Sequence, residues 1–175
     1  MGKKYELTDT TKEVEGYVLH QIKALKSFGN VKKGDLGGWV EDYRNLSQSG
    51  NAWVYDDAQV FDYAFVCDNA SIEDHASIES DANVFSNAKV FGKAVIDDRA
   101  QVFGNACVFD NAWIYDSAQV YGNAQVFGDA EVFDNAKVYD YSAVLGTSLI
   151  AGNSRVLGDA RVDGNLLIQG GSTIS

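Results

Sequence analysis

The chain has two histidines, and one of them stands in a pattern suited to proton transfer. His75 is preceded eighteen residues earlier by Asp57 and followed eighteen residues later by Lys93. In a chain that repeats with that period the three side chains share one column, with a carboxylate and an ammonium flanking the imidazole one layer below and one above. Asp57 would orient the ring, and a neutral imidazole so held is a general base for a hydroxyl or an amine. The structural alternative is that His75 replaces a corner Asn and has only solvated charges around it. His20 falls in an N-terminal strand, where histidine is ordinarily structural.

Positive charge is sparse, with 14 Lys and Arg against 25 Asp and Glu, so its placement is informative. Lys137, Arg155 and Arg161 lie near Tyr139 and Tyr141 in the late part of the chain, and Lys89, Lys93 and Arg99 fall within one middle repeat unit. Either group could hold a small anionic ligand such as a nucleotide by ion pairing and stacking. For Arg99 the structural alternative is an ion pair with Asp81, its neighbour by eighteen. The glycines recur every six residues and belong to turns, so none forms a phosphate-binding loop.

What positions these side chains is a six-residue phrase, seen three times in GNAQVFGDAEVFDNAKVY (122–139). Ala recurs every six residues from Ala52 to Ala136; Ser142, Ser148 and Ser154 keep the phase, and Ala160 resumes it. Two residues after each comes a branched aliphatic residue, from Val54 to Ile174. A helix would show spacings of three and four, whereas here residues alternate within a period of six. In A-x-V-[FY]-[GD]-N the Ala and Val share a parity and point inward, while x and the aromatic point outward. Gly or Asp followed by Asn tolerates the left-handed angles of a sharp corner. Three hexads then make one triangular coil, the periodicity of a parallel β-helix. Nearly seven coils from Ala52 onward give a prism roughly 33 Å long at ~4.8 Å per coil.

Sorting outward residues by eighteen gives columns of rings. One holds Phe85, Phe103, Tyr121 and Tyr139 beside Asn83, Gln101, Gln119, Lys137 and Arg155; a second holds Phe91, Phe109 and Phe127; a third holds Tyr115 and Phe133 next to Trp113. A corner column reads Asn69, Asn87, Asn105, Asn123, Tyr141, Asp159. Cross-strand packing explains the ladders structurally, but three such faces exceed the apolar surface of a usual monomer. Self-association or a docked partner is therefore expected.

The formal charge of −11 is at least partly turn chemistry, because most acids occupy corner positions where Asp is favoured. It argues against direct nucleic-acid binding. Proline is absent, as suits stacked strands. Two cysteines, Cys67 and Cys107, are too few for a disulfide framework. The polar start and the absence of a long apolar run predict no signal peptide, no membrane span and a cytoplasmic location.

These hexads, with an aliphatic residue followed four residues later by a small one as in Val54 to Ala58 and Val60 to Ala64, resemble those of the bacterial hexapeptide-repeat family over residues 50–175. The resemblance implies an all-β, left-handed parallel β-helix. The order VKKGDLGGWV followed by LSQSGNAWVYD looks like the opening of the YdcK-like proteins of enterobacteria and prophages, whose transferase designation derives mainly from fold. Residues 1–49 depart from the repeat and are expected to form a small β cap: KYELT and YVLHQIKAL as strands around the turn at Glu15 and Gly16, with Trp39 and Val40 covering the first coil. The family is typically trimeric, which implies a homotrimer with three equal clefts. Its acyltransferases use a His as base with acetyl-CoA or acyl carrier protein in an intersubunit cleft, which here points to His75 with Asp57. They usually carry an extruded loop and a terminal helix, neither of which the chain shows, and the γ-class carbonic anhydrases of this fold need three histidines for zinc. The favoured reading is a noncatalytic binding or scaffold protein, phage or prophage encoded, without cofactor or metal, holding a host protein or an anionic ligand such as a nucleotide signal of host defence. The alternatives are an acyl-CoA-dependent acyltransferase and an acidic rod that mimics DNA.

Overall fold

The computed structural model describes residues 2–175, and it is a parallel β-solenoid preceded by an antiparallel ribbon. The ribbon is β1 (Tyr5–Val14) and β2 (Tyr17–Ala24), joined by the expected turn, where Glu15 and Gly16 both have positive φ. β3 (Leu36–Val40) pairs antiparallel with β2 and parallel with the first coil, Trp39 opposite Gln59 and Val40 opposite Val60. Thereafter every hexad contributes a two-residue strand. These form three faces: a first face continuing β1–β2–β3 into a ten-stranded sheet, a second beginning at Trp53–Val54 and a third beginning at Phe65–Val66, each of the last two with seven strands. Neighbours within a face are eighteen residues apart in register, as Val90 with Val108 and Val102 with Val120.

The inward Ala and Val or Ile positions fill the prism axis, and from Ala76 to Val138 every one is fully buried. Ser142, Ser148 and Ser154 occupy Ala positions and are buried as well, so the phase runs on through them. Ser142 and Ser148 offset the cost of a buried hydroxyl by donating to backbone carbonyls, Ser142 to Tyr139 at 2.7 Å and Ser148 to Gly164 at 3.2 Å.

Corner chemistry accounts for much of the acidity. Asp56, Asp62, Asp68, Asp74, Asp98, Asp110, Asp116, Asp134 and Asp140 adopt φ between 49° and 61°. Several of their carboxylates also accept the backbone N–H of the same corner one coil on: Asp98 from Asp116, Asp116 from Asp134 and Asp134 from Gly152, at 3.1, 3.1 and 2.8 Å. A second corner carries the Asn ladder, which begins one member earlier than the sequence column, at Asn51.

The first coil would otherwise expose unpaired carbonyls and an apolar core. Buried Asn45 donates to the carbonyls of Asp62 and Ala64 at 2.9 and 3.0 Å, and the ammonium of fully buried Lys4 donates to that of Ala52 at 2.8 Å. Tyr5 packs edge-on against Trp53 and donates to the Leu46 carbonyl at 2.7 Å. β3 can cross this closely because it carries Gly37 and Gly38: a Cβ at Gly38 would stand 2.5 Å from the Ala58 carbonyl oxygen. Val40 enters the core as anticipated, but Trp39 does not cover the coil end. Strand alternation turns its ring outward, where the Lys12 ammonium lies 4.9 Å from its centroid.

Candidate functional site

Alternation within each short strand decides what the prism presents. In Lys137-Val138-Tyr139 the valine is in the core, and Lys137 and Tyr139 are half-buried on the outer surface. Pairing sets Lys137 beside Gln119 on one side and Arg155 on the other. Next to this polar column the rings of Phe85, Phe103, Tyr121 and Tyr139 stack at 4.9, 4.8 and 4.8 Å with interplanar angles of 3°, 2° and 1°. The coil rise of about 4.8 Å imposes that spacing.

The second face repeats the arrangement with Phe91, Phe109 and Phe127, at 4.8 and 4.7 Å. On the first face Tyr115 stacks on Phe133 at 5.0 Å, lies against Trp113 and donates to the Glu131 carboxylate at 3.0 Å. Burial first, then Tyr139 and Asp140, pushes the Tyr121 hydroxyl above its ordinary range, with Arg155 opposing.

The late basic residues divide. Lys137, Tyr139 and Arg155 share the third face, exposed Tyr141 stands at the corner that follows, and Arg161 is around that corner on the second face, ion-paired to Asp163 at 3.4 Å. The middle group is dispersed, although one coil supplies it. Lys89 is on the second face, Lys93 at the corner after it and Arg99 at the corner after the first face. Arg99 makes no ion pair with Asp81 among the described residues.

Asp57, His75 and Lys93 occupy one corner column, as the spacing predicts. His75 Nδ1 lies 3.8 Å from Asp57 Oδ2, with the side chains 64% and 65% exposed. At that exposure the contact adds little to stability. Chemically it is an imidazole open to solvent with a carboxylate one coil below. His20 instead places Nδ1 3.0 Å from the Thr8 carbonyl, bracing the ribbon. Cys67 and Cys107 are half-buried free thiols, both pushed up in pKa chiefly by burial.

A cleft under the loop between β2 and β3 escapes the sequence reading. The Gly29–Asn30 loop overhangs the second face and joins Lys89 to Tyr55, Ser71 and Glu73. The available signal was a break in pattern: Glu73 stands where later coils carry Phe91, Phe109 and Phe127. Among the described residues no three His, Cys, Asp or Glu side chains group as metal ligands, and no helix is long and apolar enough to cross a membrane.

Comparison with known proteins agrees with the repeat. A family model described as the YdcK β-solenoid repeat matches residues 100–116. Over 52 residues the chain is 40% identical to the protein named Uncharacterized acetyltransferase YdcK of Escherichia coli K12, a match covering 30% of this chain and 15% of that protein. The aligned segment thus spans a small part of the curated relative's length.

Proposed function

For a β-solenoid built on the YdcK-type hexapeptide repeat, we propose a binding and scaffold function in which three copies associate side by side through their aromatic ladders. The observation that carries this reading is the parallel stack of Phe85, Phe103, Tyr121 and Tyr139, whose half-buried rings form one continuous apolar strip on the third face. A neighbouring prism would dehydrate that strip, and a threefold arrangement would generate three equal clefts. Lys137 and Arg155 bring positive charge beside the rings, so such a cleft suits a small anion with a stackable ring, such as a nucleotide. Tyr141 would approach from the adjoining corner. A phage-encoded sponge for a host nucleotide signal is one specific form of this function, and no cofactor enters it.

Native mass spectrometry of the freshly purified protein tests the reading. The expected result is a trimer with extra mass attached, dissociated to monomers by Phe103→Ser with Tyr121→Ser, and losing that mass in Arg155→Ala without losing the trimer. A bare wild-type monomer overturns it.

One observation favours a second reading. His75 and Asp57 form an accessible imidazole–carboxylate pair, and the name of the similar protein is that of an acetyltransferase. In that case His75 would accept the proton of a hydroxyl or amine attacking the thioester carbonyl of acetyl-CoA, the C–S bond would break, and the departing CoA thiolate would take that proton. Turnover of acetyl-CoA that disappears in His75→Ala would favour this over the sponge, whose stoichiometric ligand should be indifferent to the substitution.

A further inference from the structure

We propose that the cleft beneath the Gly29–Asn30 loop binds a small zwitterion of the α-amino-acid type. It has a volume of about 200 Å³, room for a molecule of a few heavy atoms rather than a nucleotide. It lies within a single chain, so the inference does not rest on side-by-side association.

The groups facing it are mismatched with one another and suited to such a ligand. Glu73 and Lys89 both line the cleft, yet the ion pairs of the described residues are Arg44–Glu41, His75–Asp57 and Arg161–Asp163, and neither takes part in them. Opposite charges on adjacent coils that remain apart leave one pole for an ammonium and another for a carboxylate.

Between them sits an unused hydroxyl. Ser71 pairs in register with Lys89, and its Oγ is buried without a hydrogen-bond partner. A buried hydroxyl in that state costs stability, and a native site usually supplies its partner. Asn51 adds an acceptor at the rim: its Nδ2 donates to Asn69 Oδ1 at 3.0 Å, while its Oδ1, as the first of the ladder, receives no bond from another Asn. Tyr55 also lines the cleft, and its hydroxyl is raised in pKa by burial first and by Glu73 second.

A ligand with its ammonium and carboxylate on one carbon would put its cation on Glu73 and Asn51 and its anion on Lys89 and Ser71. Inorganic phosphate would leave Glu73 facing a like charge, and an uncharged polyol would leave both charges without counterparts.

Titration of the 15N-labelled protein with L-serine, followed by amide shifts, tests this, with ethanolamine and lactate as analogues that each lack one charge. The expected result is saturable shifts at Ser71, Glu73 and Lys89, at least about tenfold weaker binding of either analogue, and a comparable loss in Glu73→Gln and in Lys89→Met. Both substituted side chains face outward, so an unchanged amide spectrum elsewhere verifies folding. Three results overturn the proposal: no saturable shift, an analogue binding as tightly as L-serine, or undiminished binding by either variant.

Discussion

Asn87 donates its Nδ2 to the Oδ1 of Asn105 one coil above, at 3.1 Å, and accepts at its own Oδ1 from Asn69 one coil below, at 3.0 Å. The same bond joins Asn51 to Asn69 and Asn105 to Asn123, so a five-membered carboxamide ladder runs up one corner. Each interior member uses one donor and one acceptor, and the chain of dipoles points one way.

Asn87→Ala removes two of these bonds and Asn123→Ala one. The corner is mostly exposed, so the interior substitution should cost about 1 kcal/mol and the terminal one about half of that. Urea midpoints of the two variants against wild type measure the difference; equal midpoints would mean that the ladder contributes nothing.

Ser142 and Ser154 hold equivalent inward positions with opposite partner status. Ser142 Oγ is hydrogen-bonded to the carbonyls of Tyr139 and Val156, whereas Ser154 Oγ is buried and unpaired. Replacing Ser142 by Ala should therefore destabilise by about 1 kcal/mol, while Ser154→Ala should be neutral or stabilising by a similar amount. The opposite signs can be read in one set of denaturation curves.

Glu79 is pushed up to about 7, by burial first and then by Asp97 and Glu15 at the tip of the β1–β2 ribbon. The folded state thus holds the proton more tightly than the unfolded one, whose value is near 4.5. The penalty is absent below the unfolded value, grows through the interval, and is complete above about 7. Glu79→Gln should accordingly leave stability unchanged at pH 4 and raise it at pH 8, in thermal melts at the two pH values.

Lys4 has the opposite slope. Its side chain is fully buried, its ammonium is 5.0 Å from the Phe28 ring centroid, and burial with the nearby Lys26 lowers its pKa to about 8 against an ordinary 10.5. Between those values the unfolded chain binds more protons, so stability contributed through Lys4 should rise with pH over that window. Lys4→Met should abolish that rise, as seen by comparing denaturant midpoints of the two proteins at pH 7.5 and 10.

The relative legibility of coil and cap follows from how each is built. Strand pairing within the coils repeats at a separation of eighteen, so Val90 opposite Val108, the ring stack of Phe103 on Tyr121, and His75 above Asp57 all follow from periodicity. The cap has no period. Lys4 reaches the Ala52 carbonyl across 48 residues, Tyr5 reaches Leu46 across 41, and Tyr17 packs on Phe61 with centroids 5.2 Å apart. Such pairings are selected by packing at the open end of the solenoid, which is why the outward ring of Trp39 was not anticipated.

The basic residues show the same division. Lys89, Lys93 and Arg99 are close in sequence, but a triangular coil sends successive hexads to different faces, so the fold disperses them. Sequence by itself determined the solenoid, its inward core, its corners and its ring columns, because a strict hexad leaves one way to bury Ala and Val while turning at Asp, Gly and Asn. Only the tertiary structure decided where the β2–β3 loop comes to rest, and hence that Tyr55, Ser71, Glu73 and Lys89 share a cleft, because that loop is placed by non-periodic contacts with the first coil.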